Sequence, residues 1–244
     1  CSIISYLTGK KSECADRSLI RKEMKERKQE FVRMNQTQIN ETKSKKWCKR
    51  LPLLAAFLIP LLISVIICID HEVYPFGERC LLQVDMYHQY CPFFTEFVDK
   101  LRSGESLMYS WTIGLGADFV SLFAYYLASP LNWFILLCPK GYVIEFMSIL
   151  MILRISLCGL TFAYYLKKHF HTNHPAIAVF GTAYALSAFM AAYAWNVMWT
   201  DCLVLAPLII LGVEQLVKDK KAALYYVCLL YTSDAVDEAR SVDL

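Results

Sequence analysis

Nineteen consecutive residues without a charge, LPLLAAFLIPLLISVIICI from Leu51 to Ile69, constrain this chain more than any other stretch in it. A helix rising about 1.5 Å per residue covers roughly 30 Å over such a run, the thickness of a bilayer's hydrocarbon core. The run is too long for a signal-peptide core, and IDHEVYPF (69 to 76) stands where a small-residue cleavage site would follow. It predicts a spanning helix that is retained.

Charge divides the chain at the same place. Residues 1 to 50 carry 14 Lys/Arg against six Asp/Glu, whereas beyond Leu51 charges thin out and apolar runs lengthen. The whole is 57% hydrophobic, with a mean hydropathy of +0.37, so a basic cytoplasmic tail (1 to 50) precedes a membrane domain (51 to 227). The chain opens on Cys1, and Met24 and Met34 are alternative starts. At the other end CLLYTSDAVDE, Cys228 to Glu238, reads as a translated transposase-type sequencing adapter, since TGT CTC TTA TAC ACA TCT encodes CLLYTS; residues 228 to 244 are set aside as a non-native tail.

Apolar segments fall at 51–69, 119–138, 142–166, 176–200 and 202–217. The basic clusters KSKKWCKR (43–50), KKHFHTNH (167–174) and KDKK (218–221) belong in the cytoplasm by the positive-inside rule, so an even number of crossings separates each pair. One candidate between the first two clusters therefore does not cross. The weakest is 119–138, where SPLN interrupts the run and proline removes a donor that lipid cannot replace. The expected fold is an all-α polytopic membrane protein with four complete spans (51–69, 142–166, 176–200, 202–217). Its external loop, 70–141, contains interfacial or re-entrant helices. Small residues at Gly181, Ala185, Ala188 and Ala192 predict close helix packing along the third span.

The external loop holds the first candidate chemistry, QVDMYHQYCPFF (83–94). Val84, Tyr87, Cys91, Phe94, Val98 and Leu101 recur at helical spacing, which predicts an amphipathic surface helix divided at Pro92. Asp85 and His88, three apart, fall on neighbouring helical positions, where a carboxylate and an imidazole can take a proton from a hydroxyl or help hold a divalent cation. A solvated polar face explains the pair equally from spacing, and no third metal ligand is evident. Asp201 emerges on the same outer face, as a second acid or as the N-cap of the last span. Asp118 lies in the glycine-flanked turn GLGADF. Arg154, at the centre of the second span, requires either an interhelical partner or an anionic lipid head group reached through a wet cavity.

The ten cysteines lack CxxC or zinc spacing and read as buried apolar thiols, with Cys80 and Cys91 close enough in the loop to pair. His169, His171 and His174 form a basic interfacial turn. Walker, dinucleotide and nucleophile-elbow motifs are absent. The basic tail, lying against a span, suits anionic lipid rather than nucleic acid.

VDMYHQYCPFFTEFVDKLRSGESLMYSWTIGLGADF (84–119), YYLASPLN (125–132), GLTFAYYL (159–166) and NVMWTDCLVLAPLIILGVEQL (196–216) closely resemble the YfhO-type bacterial membrane proteins, over about residues 51 to 227. That family is assigned to the GT-C class of integral-membrane glycosyltransferases. The resemblance implies transfer of a sugar from a polyprenyl-phosphate donor to an envelope polymer such as lipoteichoic acid, at the outer face of the cytoplasmic membrane. It gives Asp85 the role of catalytic carboxylate, with Asp201 a second candidate; His88, from its place three residues on, would orient or assist Asp85. It requires no nucleotide fold. Assistance to the departing lipid phosphate falls to Arg154 from its charge alone. A flippase of lipid-linked sugars and an envelope-assembly scaffold are the competing classes.

Overall fold

The computed structural model describes residues 50–139 and 141–226. By contact the chain divides into Cys1–Arg50 and Leu51–Leu244; the basic tail and the expected non-native tail from 228 lie outside the described residues.

Among the described residues four helices are long and apolar enough to cross a membrane: α1 (Arg50–Asp70), α4 (Val143–His169), the broken helix Ala176–Tyr193 and α7 (Val197–Asp219). These are the four expected spans. Around them, Met86–Tyr90 winds as a π-helix, followed by α2 (Cys91–Ser103) and a two-residue hairpin, β1 (Tyr109–Ser110) against β2 (Ala117–Asp118). Then come the single turn α3 (Phe119–Leu122), a π-turn (Phe123–Leu127) and a 3-10 helix (Pro130–Leu137). The segment doubted as a span is indeed bent, with 102° between Phe119–Leu127 and Pro130–Leu137. Pro130 supplies the break, because it is preset for a first helical turn and has no N–H to carry the preceding helix onward.

Helix α4 is the axis of the bundle, packed by α5 (Ala176–Ala185) and α7. Small residues let α1 and α5 approach it closely. A Cβ added at Gly159 would stand 2.3 Å from the carbonyl oxygen of Ala56, and one at Gly181 would stand 2.6 Å from that of Gly159. Only the first half of the expected small-residue stripe takes part. The span breaks at Leu186–Ser187, Ser187 caps α6 (Ala188–Tyr193) by accepting from Met190 N, and Ala188 and Ala192 are exposed.

The span boundary near residue 200 also differs from expectation. Asn196 occupies the N-cap position and α7 begins at Val197, so Asp201 lies inside the helix, neither capping it nor ending the span before it. Apolar character stays high across AWNVMW, and hydropathy alone carries no mark of the turn.

Helix α2 starts where proline predicts, with Pro92 in its first turn, and ends on Gly104 in the left-handed conformation. Its buried face is Phe93, Phe94, Phe97 and Val98. Upstream the expected face is wrong: Met86 and Tyr90 are buried, while Val84 and Tyr87 are exposed. The cause is the π-winding, which takes more residues per turn than an α-helix and rotates this segment out of the α-period. Cys80 and Cys91 are free thiols and form no disulfide.

Candidate functional site

Buried charge converges where the bent helix pair Phe119–Leu127 and Pro130–Leu137 (the bent hairpin), α4 and α7 meet. Arg154 is completely buried. Its Nε donates to Asp201 Oδ1 at 2.7 Å and its Nη2 to Asp201 Oδ2 at 3.2 Å, a two-point pairing of guanidinium and carboxylate. Nη2 also donates to Asn132 Oδ1 at 2.7 Å. Asn132 in turn donates from Nδ2 to the carbonyls of Tyr126 and Leu127, at 3.3 and 3.2 Å. Those carbonyls are ones the bend leaves without helical donors, so a single side chain satisfies the broken backbone and ties it to the buried cation.

Of the two partners expected for Arg154, the structure contains the interhelical one: Arg154 is fully buried against Asp201. Asp201 serves as its counter-ion, which differs from an acid standing on the outer face. Arg154 Nη1 and the Asn196 side-chain oxygen are buried without a hydrogen-bond partner among the described residues. Asn132 was not anticipated. Its signal was present, as an amide side chain directly after Ser-Pro-Leu inside an otherwise apolar run.

The second cluster is the expected QVDMYHQY segment. Asp85 and His88 are both exposed, and no ion pair joins them among the described residues. Three residues span less of a turn in a π-helix than in an α-helix, so the expected neighbours are separated. The i,i+5 neighbour of Asp85 is Tyr90, and the Asp85 charge acts on the phenols of both Tyr90 and Tyr126. Burial first, then the neighbouring Tyr126 and Asp85, push the Tyr90 phenol up from its ordinary value. The two tyrosine rings lie 5.2 Å apart, and Gln89 Nε2 donates to the Tyr126 hydroxyl at 3.2 Å. Directly before Asp85, the β-branched Val84 is held at a φ of 48°, a conformation such residues seldom adopt.

Tyr126 therefore belongs to both clusters. Its ring and hydroxyl meet the Asp85 segment, and its carbonyl accepts from Asn132, which holds Arg154.

A third group orders the loop beyond α2. Lys100 is buried, and its ammonium donates to the carbonyls of Ser106 and Tyr109 and stands 3.6 Å from Glu96. Glu96 accepts from Ser110 Oγ at 2.6 Å and from the Thr112 hydroxyl. Burial alone would raise the Glu96 carboxyl, but the hydrogen bonds from Ser110 and Thr112 and the Lys100 charge outweigh it and hold the group below the usual carboxylate range. Asp118 does what a turn residue does, accepting from Val120 N at 3.1 Å as the cap of α3.

A model of a family described as bacterial membrane protein YfhO matches residues 55–232. The chain belongs to the YfhO family. No curated protein and no solved structure matches it. The YfhO match takes in Asp85, His88, Asn132, Arg154 and Asp201, hence both clusters.

At the opposite end of the YfhO-family bundle, His169 Nδ1 lies 2.8 Å from Glu214 Oε1, and Tyr165 donates to the same oxygen at 3.0 Å, joining α4 to α7. His171 and His174 stay outside this contact, so the three histidines do not act as a set. No group of three or more His, Cys, Asp or Glu suited to a metal ion occurs among the described residues.

Proposed function

We propose that this YfhO-family membrane protein transfers a sugar from a polyprenyl-phosphate donor to a cell-envelope polymer such as lipoteichoic acid, at the outer face of the cytoplasmic membrane. The observation that carries the reading is Asp85: an exposed carboxylate directly before the π-helix that bears Gln89 and Tyr90, between α1 and the bent hairpin. In this reading the basic clusters at 43–50, 167–174 and 218–221 face the cytoplasm, and the Asp85 loop faces out.

The chemistry asks little of the protein. The acceptor hydroxyl gives its proton to Asp85 as its oxygen bonds to the anomeric carbon; the bond from that carbon to the phosphate oxygen breaks, and the lipid phosphate leaves with the electron pair. His88, on a separate face of the segment, contributes by contacting a substrate rather than by orienting Asp85. Arg154 and Asp201 hold the bent hairpin through Asn132 and so position Tyr126, which packs on Tyr90 and accepts from Gln89 in the Asp85 segment.

The test is reconstitution of the full-length protein in liposomes with a polyprenyl-phosphate hexose and a teichoic-acid acceptor. Transfer is expected, and Asp85→Asn is expected to abolish it while the protein stays folded. Transfer that survives Asp85→Asn unchanged overturns the assignment, and translocation of the donor without transfer assigns the protein to flippases instead.

A further inference from the structure

Glu145, in the first turn of α4, brings a carboxylate to an aromatic cavity of about 550 Å³. Its other walls include Tyr74 from the segment after α1, Phe134 from the bent hairpin, and Tyr142, Phe146 and Ile149 at the start of α4. No lysine, arginine or histidine lines this cavity among the described residues.

A glutamate in a first helical turn is ordinarily explained by the helix dipole or by capping. Capping does not account for this one. Glu145 Oε2 is buried with no hydrogen-bond partner among the described residues, and the nearby Phe146 N–H donates to the Tyr142 carbonyl instead. A buried carboxylate oxygen in that state is costly unless a cation offsets its charge.

The surrounding rings suit such a cation. Those of Tyr74 and Tyr142 lie 6.3 Å apart, tilted at 49°, a spacing that lets one ammonium stand within about 6 Å of both centroids. They are 43% and 46% exposed, so core packing does not use them up.

The apolar part of the cavity says what carries the cation. Phe134 and Ile149 are 54% and 59% exposed, and Ile149 is one helical turn deeper into the span than Glu145, where the surroundings are lipid chains. With the basic clusters in the cytoplasm, the start of α4 stands at the head-group level of the outer leaflet. A water-soluble organic cation would leave the exposed apolar surface unused, and Glu145 repels an anionic head.

We propose that this cavity binds the ammonium head group of a membrane lipid, held by Glu145 with Tyr74 and Tyr142 while the chain lies along Phe134 and Ile149. Asp85 lines no part of it. The site takes a component of the surrounding bilayer, and it stands whether or not the protein transfers a sugar.

The test offers the full-length protein, in maltoside micelles, stearylamine, phosphatidylethanolamine, octadecanol or phosphatidylglycerol, with bound lipid counted by native mass spectrometry. Both ammonium lipids are expected to bind roughly tenfold more tightly than octadecanol or phosphatidylglycerol, the scale of one partly buried charge pair. Glu145→Gln, which keeps the shape of the side chain, is expected to remove that advantage. Tyr142→Leu and Tyr74→Leu are each expected to weaken ammonium binding roughly two- to fivefold, the scale of one partly exposed cation–π contact. Phosphatidylglycerol binding is expected to stay the same in Tyr142→Leu and Tyr74→Leu. Binding of stearylamine without phosphatidylethanolamine supports the ammonium site and assigns it to a lipid with net positive charge. Octadecanol bound as tightly as stearylamine, or ammonium binding indifferent to both Glu145→Gln and Tyr74→Leu, overturns the proposal. Lys140, close in sequence and outside the described residues, supplies a last control. Ammonium lipids that bind only after Lys140→Gln would show that the chain's own lysine fills the site, which also overturns it.

Discussion

Asn132 accepts from Arg154 and donates to the two carbonyls at the bend of its own hairpin, so one amide connects a broken backbone to a buried charge. Asn132→Leu keeps the branching of the side chain but removes all three contacts. It leaves Arg154 partly unsatisfied and the Tyr126 and Leu127 carbonyls without this donor. A loss of about 1–3 kcal/mol per abandoned buried group is expected, read as a fall in unfolding midpoint in detergent. Faster hydrogen exchange confined to 123–137 would place the damage in the hairpin.

The Arg154–Asp201 pair should behave as a unit. Asp201→Leu alone strands a fully buried guanidinium, with an expected cost of about 3–5 kcal/mol, whereas Arg154→Met combined with Asp201→Leu should recover most of that loss. A double-mutant cycle on stability checks this. Strictly additive costs would mean the pair is not coupled as its geometry implies.

Asp85 and His88 should not behave as a unit. If transfer is measured for Asp85→Asn, His88→Ala and the double variant, a coupling energy below about 0.5 kcal/mol is expected, as for groups that do not touch. Strong coupling would require the two side chains to meet during turnover.

Glu96 gives the loop a defined pH response. Its folded value lies below the ordinary one of 4.5, so the contribution to stability is fully present above that pH and is lost as pH falls below it through the folded value. Amide protection over 105–118, taken against the intrinsic exchange rate at each pH, should be high at neutral pH and fall in that acid window. Glu96→Gln should show faster exchange already at neutral pH and little further acid response.

Helix contact at Gly159 leaves no room for a methyl group, since an added Cβ would stand 2.3 Å from the Ala56 carbonyl oxygen. Gly159→Ala is expected to force α1 away from α4 and cost about 1–3 kcal/mol, while Val179→Ala, at an exposed position on α5, should be nearly silent. Thermal unfolding of the two variants side by side makes the comparison.

What could be read beforehand follows from which forces leave a linear trace. Leu51–Ile69 and Val143–Leu166 are long apolar runs, and bilayer thickness turns such runs into helices almost without regard to partners. Ser-Pro at 129–130 announced the bend because a missing donor is a local property. The start of α7 at Val197 was hidden because tryptophan, valine and methionine keep the turn as apolar as the spans it joins. Asp85 and His88 were expected side by side because spacing was counted in α-turns, and nothing in MYHQY marks a π-helix. The buried Lys100 depends on the loop after α2 folding back to offer the Ser106 and Tyr109 carbonyls, and the role of Asn132 on Arg154 arriving from another helix, which no count along the chain reveals.

The order of these residues along the chain also bears on how the protein is made. Arg154 emerges from the ribosome 47 residues ahead of Asp201, so α4 must enter the bilayer with a central charge, a penalty of about 2.5–3.5 kcal/mol on insertion scales, before its counter-ion has been synthesised. Asn132 is made 22 residues earlier than Arg154. The bent hairpin can therefore shelter the guanidinium during the interval, acting as a built-in holder for a nascent span until α7 arrives.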